Sequence, residues 1–205
     1  MSSGEVFPVQ RAILLVESDP DQRASLRAKL AGNGSRVVGE AGNADEAMRL
    51  AVMRGPDAAV VATELARGDG IHLASRLVTE HGIPTVLLAP LVAPPDIARA
   101  VQAGAMGLLV KPVDPSALCG MLEIAVSRFQ EILSLRREAE SLRRMLESRK
   151  MIERAKGLLM QTHGLSEQEA FARLRQRSMD TQRPMADIAR AILLALENQR
   201  ANSMR

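Results

Sequence analysis

The sequence predicts a doubly wound α/β domain with a five-stranded parallel sheet, followed by a coiled-coil helix and a small three-helix all-α domain. Short apolar runs alternate with amphipathic segments up to about Pro115, which indicates strands and helices in β-α order. Beyond that point the helical spacing of apolar residues continues. At 205 residues the chain can hold one domain of about 120 to 150 residues and a smaller one.

The five predicted strands are apolar runs of four to six residues: Ala12–Val16, Arg36–Ala41, Ala58–Ala62, Thr85–Ala89 and Gly107–Val110. The predicted helices lie around Asp21–Ala31, Ala44–Met53, Ile71–Glu80 and Pro95–Gln102, and a fifth begins near Pro115. Asn43 with Glu46 has the spacing of a helix capping box. This alternation implies a parallel sheet covered on both faces, with ligands bound beyond the carboxyl ends of the strands.

The predicted strand ends carry the motifs of a known family. They include VESDP after the first strand, the PD and DGI that flank the third strand and its loop, and AGAMGLLVKP around the fifth. Over roughly Arg11 to Ile124 the chain resembles a response-regulator receiver domain. The resemblance implies a receiver-like, flavodoxin-like fold.

The family's phosphorylation pocket falls on residues that mostly depart from its pattern. The corresponding positions are Glu17 and Ser18 (an acidic pair), Ala62 (the phosphoacceptor aspartate), Ala89 (a switch Thr or Ser), Leu108 (an aromatic switch) and Lys111 (the lysine). Phosphoryl transfer needs a carboxylate nucleophile and an oxygen-ligated divalent ion. A slip in register would offer Glu64 but would break the motif spacing. We therefore expect a pseudo-receiver that serves as a scaffold and protein-binding surface, with Lys111 paired to Glu17.

A seam of apolar residues follows the predicted sheet domain. Its members recur in steps of three and four: Ile132, Leu135, Ala139, Leu142 and Leu146. Such a seam predicts a two-stranded coiled coil and a homodimer; the alternative is a long helix packed against its own domain. The absence of Gly and Pro between Met121 and Lys156 favours one continuous helix. The predicted domains are residues 1–122, a coiled-coil linker at 123–147, and 148–205.

The last domain is predicted as three helices. The long helix ends near Gly164, Ser166 and Glu169 form a capping box for the second helix, and Pro184 begins the third. The expected core consists of Leu158, Leu159, Ala170, Phe171, Leu174, Ile188, Ala189, Ile192 and Leu196.

Positive charge collects in this C-terminal part. Residues 1–135 hold 12 Lys and Arg against 15 Asp and Glu (net −3), whereas residues 136–205 hold 15 against 9 (net +6). The candidate RNA-binding residues are Arg154, Lys156, Gln161, Arg173, Arg175, Arg177, Ser178 and Arg183. Basic clusters attract phosphates. With three Phe and no Trp or Tyr, aromatic base stacking is not expected.

The segments ERAKGLLM, HGLSEQEAFARLRQRSM and IARAIL make this part similar to an ANTAR domain, the module of the AmiR and NasT transcription antitermination regulators. The resemblance implies binding of structured leader RNA that opposes terminator formation. It also implies control by a regulatory sensor protein in place of phosphorylation. Two alternatives stay open: a DNA-binding response regulator, whose recognition helix would begin at Met185-Ala186-Asp187, and a protein-interaction module that binds no nucleic acid.

Other functional classes find little support in the sequence. No nucleophile–base pair or phosphate-binding loop indicates an enzyme, and the scattered His and Cys residues indicate no metal site or other cofactor. Cys119 stands alone, no segment has the length and apolarity of a membrane span, and no signal sequence is evident. We expect a cytoplasmic protein that does not contact membranes.

Overall fold

The computed structural model describes residues 10–32 and 34–203, with side chains described up to Ala195. The chain divides into two compact units between Leu133 and Ser134. The first unit contains β1 (Ala12–Val16), α1 (Pro20–Gly32), β2 (Arg36–Ala41), α2 (Ala44–Arg54), β3 (Ala58–Ala62), α3 (Gly70–His81), β4 (Thr85–Ala89), α4 (Pro94–Gln102) and β5 (Gly107–Val110). Helix α5 (Pro115–His163) begins in the first unit and ends in the second, where α6 (Glu167–Thr181) and α7 (Met185–Ser203) follow.

The sheet is fully parallel, with strand order β2-β1-β3-β4-β5. The predicted fold class is therefore confirmed, and all five strands have the predicted bounds. Parallel sheets are buried on both faces, which explains why β3 and β4 are apolar at nearly every position.

Alternate strand residues face two separate cores. On one face Leu14, Val61 and Leu87 belong to a cluster with residues of α2, α3 and α4. On the other face Leu15 and Val60 pack with residues of α1 and the first turns of α5. Because neighbouring side chains on a strand point to opposite faces, one apolar run supplies both cores. Because all five strands are parallel, their carboxyl ends lie along one edge of the sheet.

The cap predicted for helix α2 is present, with one difference in its hydrogen bonds. Asn43 caps α2 by accepting a hydrogen bond from the Glu46 backbone N–H at 3.0 Å. The Glu46 carboxylate, however, accepts from the backbone N–H of Gly42 rather than from that of Asn43. The predicted capping box is thus a cap whose acidic partner reaches one residue further back.

The second unit has a small core of its own. Its buried residues are Ala155, Leu159, Ala170, Leu174, Ile188 and Ala189, with Ile192 packed against them. The expectation for Phe171 is wrong, since its side chain is 41% exposed, and Leu158 is only half-buried. The side chain expected at Leu196 lies outside the described residues.

The ends of the helices in this unit follow the predicted signals. Helix α5 stops before Gly164, whose φ of 65° is the left-handed conformation that glycine adopts readily. The Ser166–Glu169 capping box begins α6 as predicted. Within the described chain, no helix has the length and apolar character needed to cross a membrane.

Candidate functional site

The carboxyl edge of the sheet gathers the residues that the sequence assigned to a phosphorylation pocket. Glu17 follows β1, Ala62 ends β3, Ala89 ends β4 and Lys111 follows β5. Ala62 is 1% exposed and Ala89 is 2% exposed, so both methyl groups fill space at the strand ends. No hydroxyl or carboxylate projects from either position.

Lys111 and Glu17 form an ion pair at this edge, as the sequence predicts. The Lys111 ammonium group also donates a hydrogen bond to Oε1 of Gln22 at 2.9 Å. Glu17 is 3% exposed, and its second carboxylate oxygen accepts from the backbone N–H of Asp19 at 3.1 Å. The lysine charge is therefore already compensated inside the protein.

Ser18 ties two neighbouring loops to the end of β1. Its hydroxyl donates to the Gly42 carbonyl oxygen at 3.0 Å and accepts from the Ala66 backbone N–H at 2.7 Å. A second acid at this position would lose the bond to the carbonyl and would stand beside Glu17. The hydroxyl thus has a structural use at a place where the receiver family has an ion ligand.

Asp19 serves the start of α1 rather than the pocket. Its carboxylate accepts backbone hydrogen bonds from Gln22 at 3.0 Å and from Asp21 at 2.8 Å. These bonds, with the nearby charge of Lys111, hold the pKa of Asp19 below its usual value.

The loop after β3 approaches the strand end closely. A Cβ atom added at Gly70 would lie 1.9 Å from the Ala62 carbonyl oxygen, so only glycine fits there. Asp69 caps α3 through the Ile71 backbone N–H at 2.8 Å and also forms an ion pair with Arg99. Leu108, at the position of the family's aromatic switch, is half-buried against the α2–α3 side of the core.

In the second unit, three of the predicted RNA-binding arginines line one groove between α6 and α7. The polar side chains of this α6–α7 groove are Arg173, Gln176, Arg177, Asp180, Thr181 and Arg183. Its apolar side consists of Ile188, Ala191, Ile192 and Ala195. The groove has a volume of about 550 Å³, within the usual range for ligand sites.

The remaining predicted RNA-binding residues lie outside that lining. Lys156 is 8% exposed, and its ammonium group bonds Glu167 at 2.7 Å and Glu153 at 3.0 Å. It therefore ties α5 to α6 and adds no free charge to the surface. Ser178 donates to the Arg183 carbonyl oxygen, which fixes the turn after α6.

Three others among the predicted RNA-binding residues are exposed but do not line the groove: Arg154, Gln161 and Arg175.

Gln176 and Asp180 were missed by the sequence reasoning. Together with Arg173 and Arg177 they occupy positions i, i+3, i+4 and i+7, which share one helix face. The Gln176 side-chain amide donates to the Asp180 carboxylate at 2.8 Å. Extending the helical spacing from the arginines would have found both residues.

The predicted seam on α5 is uncovered within the chain. All residues from 134 to 147 are exposed, including Leu135 at 57%, Leu142 at 50% and Leu146 at 58%. Ala139 is exposed as well, and Ile132 is half-buried. The exposure of this stretch in the described residues disfavours the alternative of a helix packed along its length against its own domain.

Where the structure describes side chains, no group of three or more His, Cys, Asp or Glu residues is arranged to hold a metal ion. The one cysteine, Cys119, is a half-buried free thiol that packs against the α1–α5 core.

The five-stranded parallel sheet, with an acid and a lysine paired at its carboxyl edge, defines a receiver-type regulatory domain. Residues 13–123 match the family of response regulator receiver domains, and residues 140–193 match the ANTAR domain. The chain is 39% identical over 188 residues to the transcriptional regulatory protein PdtaR of Mycobacterium tuberculosis, with 92% of each chain covered. It belongs to the family of two-component response regulators that join a receiver to an ANTAR domain and regulate transcription.

Two further relatives match a little over half of the chain. The aliphatic amidase regulator of Pseudomonas aeruginosa is 29% identical over 115 residues, which cover 55% of this chain and 59% of the relative. The crystal structure of the signal receiver domain of a modulated diguanylate cyclase from Desulfovibrio desulfuricans G20 is 30% identical, with a TM-score of 0.56. That match covers 59% of this chain and 97% of the other.

Proposed function

We propose that this protein is an RNA-binding transcription antitermination regulator that binds structured leader RNA as a homodimer. The observation that carries the proposal is the convergence of Arg173, Arg177 and Arg183 on one groove of the C-terminal unit. Guanidinium groups bind phosphates with paired hydrogen bonds, and such contacts supply most of the affinity for nucleic acid. An RNA held there would oppose formation of a terminator hairpin.

RNA loops fit this surface better than a DNA groove does. In a helix-turn-helix reading the start of α7 would enter the major groove, but Met185 and Ala186 are half-buried and Asp187 brings a negative charge. A-form duplexes admit side chains poorly, so base selection by polar side chains requires unpaired bases.

A salt titration with matched variants tests the proposal. RNA is first recovered by crosslinking to the protein in its native cell, and binding is then measured on this RNA and on duplex DNA of the same sequence. For single strands the slope of log K against log salt is roughly −0.7 per phosphate contact. Arg173→Ala should flatten the slope by about one contact, whereas Arg175→Ala, on the same helix but off the groove, should leave it unchanged.

The outcomes separate the proposal from its rivals. Equal or tighter binding to the duplex would favour the DNA-binding alternative. Failure to bind any hairpin RNA would leave a protein-interaction module as the better description.

For the first unit we propose a pseudo-receiver that is not phosphorylated. The support comes from Ala62 at the end of β3 and from the Glu17–Lys111 pair, which leaves the lysine no phosphoryl oxygen to meet. The protein incubated with acetyl phosphate and Mg²⁺ should keep its mass. A stoichiometric phosphoryl adduct would show the proposal to be wrong.

Without phosphorylation, control passes to another input, and we propose a regulatory sensor protein that sequesters or releases the dimer. Two exposed apolar side chains near α4 are compatible with such contact: Leu91 is 77% exposed and Val101 is 71% exposed. Mass spectrometry of proteins retained by the tagged regulator, with Val101→Asp as the comparison, identifies the partner. If the wild type and Val101→Asp retain the same proteins, the surface around Leu91 and Val101 does not bind the partner.

A further inference from the structure

The α6–α7 groove contains one acid among three arginines. Asp180 lines the same groove as Arg173, Arg177 and Arg183. Its carboxylate accepts a hydrogen bond from the Gln176 amide at 2.8 Å. Among the residues that the structure describes, no lysine or arginine nitrogen comes within 4.0 Å of it. The groove therefore offers cations for phosphate and, separately, an anionic acceptor that repels phosphate.

That acceptor requires a ligand with hydrogen-bond donors. An ionised carboxylate accepts only, through two oxygens with about four lone-pair sites, so the bond from Gln176 leaves capacity on both oxygens. The sugar–phosphate backbone of RNA carries negative charge and offers one donor per nucleotide, the 2′-OH. A group that fills both carboxylate oxygens at once is a base edge with two donors.

The opposite wall of the groove suits the flat face of a base. Ile188 is 7% exposed and Ile192 is half-buried, and both come from α7. They give an apolar surface without an aromatic ring. A volume of about 550 Å³ accommodates one nucleotide rather than a duplex.

We infer that the α6–α7 groove captures a single unpaired guanine of the RNA, read by Asp180 while the arginines hold the flanking phosphates. This inference rests on the proposed RNA-binding function. Guanine is the one standard base whose Watson–Crick edge carries two adjacent donors, the ring N1–H and the exocyclic amine. These match the two oxygens of a carboxylate.

The other bases fit this arrangement less well. Adenine and cytosine each place a ring acceptor beside their amine, and uracil places its single N–H between two carbonyls. In every case a lone pair would face the carboxylate. A paired guanine is excluded too, because both donors are already used within the duplex.

Replacing the acid by its amide gives a sharp test. Asp180→Asn presents one acceptor and one donor, the pattern that matches the Watson–Crick edges of adenine and cytosine. The probe is a pool of RNA hairpins with a common stem and randomised loops, selected separately on each protein. The wild type should fix guanine at one loop position, and Asp180→Asn should lose that preference or exchange it for adenine or cytosine.

Affinity measurements on the selected hairpin make the test quantitative. Replacing the fixed guanine by adenine should weaken wild-type binding roughly 5- to 150-fold, and inosine, which lacks the exocyclic amine, should fall between them. Asp180→Glu should keep the guanine preference. Asp187→Asn, which removes the same charge from an exposed residue off the groove, should select the wild-type loop.

The outcomes distinguish the inference from the function on which it rests. Hairpin binding with no preference for guanine, or an unchanged preference in Asp180→Asn, overturns the inference and leaves RNA binding intact. Failure of every hairpin to bind overturns both. Thermal melting of each variant confirms that it is folded before its selection is interpreted.

Discussion

The contacts of Lys156 in the structure differ from those predicted from the sequence. Its sequence position suggests a contact with phosphate, yet its ammonium group lies between Glu153 and Glu167. The hydrogen bond that Lys156 donates to Glu167, followed by the one it donates to Glu153, raises the pKa of Lys156. The same contact lowers the pKa of Glu167. The residue consequently links α5 to α6, and the basic surface is left to the arginines.

The sign of these pKa shifts predicts how the C-terminal unit responds to acid. Because the folded-state pKa of Glu167 is lowered, its stabilisation is present above the unfolded pKa of about 4.3 and is lost as pH falls through the folded value. The raised pKa of Lys156 has its effect at high pH. The stabilisation that Lys156 contributes is lost as pH rises above its unfolded pKa of about 10.4. Glu167→Gln should therefore melt at a lower temperature at neutral pH, and the difference from wild type should shrink between about pH 5 and 3.

Circular dichroism melts across that range measure the effect. Glu147→Gln removes an exposed carboxylate paired with Lys150 at 3.0 Å and serves as the control, since exposed pairs contribute little. A constant difference between Glu167→Gln and wild type at every pH would contradict the linkage.

Helix α5 carries a charge pattern that selects one pairing direction. If Ile132, Ala139 and Leu146 are taken as heptad position a, Leu135 and Leu142 fall at d. Position g then holds Glu131 and Glu138, and position e holds Arg136 and Arg143. In a parallel pair g faces e of the partner, which brings opposite charges together. An antiparallel pair would oppose like charges.

We therefore predict a parallel, in-register homodimer. In a Cys119→Ser background, Leu146→Cys chains should cross-link to each other on mild oxidation, because facing positions meet disulfide distances. A mixture of Ile132→Cys and Leu146→Cys chains of different mass should give no mixed product, since the two positions lie about 21 Å apart along the helix. Abundant mixed product would indicate antiparallel pairing, and a monomer in light scattering would contradict the dimer.

Elements of this protein were easier to predict than the surroundings of side chains. The strand Ala58–Ala62 is a closed apolar run whose ends are marked by a change to polar residues, so its bounds follow from composition alone. The residues at the strand ends could be located because the motif spacing around the strands is kept. The burial of Lys156 and the exposure of Phe171 depend on how α6 packs against α5. Helical periodicity predicts which residues share a helix face, but it does not predict which other element packs against that face. Asp180 was not predicted because the residues next to it in the sequence are uncharged.

The whole molecule combines a sheet-containing unit with an excess of acid and a helical unit with an excess of base. Dimerisation would supply two α6–α7 grooves per particle. Binding of a second loop then becomes intramolecular, and its effective concentration is set by the tether between loops. In the proposed function, affinity for RNA would thereby depend on assembly as well as on the contacts within one groove.

An RNA with two copies of the selected loop, joined by a flexible spacer, should bind the wild type roughly 10²- to 10⁴-fold more tightly than an RNA with one copy. The reason is that the second groove meets its loop at a high effective concentration. A double variant, Leu135→Lys and Leu142→Lys, places charge in the seam. It should abolish this gain and leave the affinity for the RNA with one copy unchanged. Filter binding with trace RNA, over protein concentrations that span both Kd values, measures both affinities. An equal gain in the seam variant would mean that the advantage does not come from the dimer.

Gly70 bears on how regulators of this kind are recognised from genomes. A side chain at this position would strike the carbonyl oxygen of Ala62, and that clash depends on the backbone path after β3, not on which side chain residue 62 carries. The Asp-Gly pair therefore satisfies a steric demand of the fold, while Asp69 caps α3 and pairs with Arg99. A genome scan that takes this pair as a sign of phosphotransfer would also select this chain, for which we propose that Ala62 replaces the phosphoacceptor aspartate. If the proposed pseudo-receiver is correct, the residue eight places before the glycine, Ala62 here, separates the two kinds of receiver where the Asp-Gly pair does not.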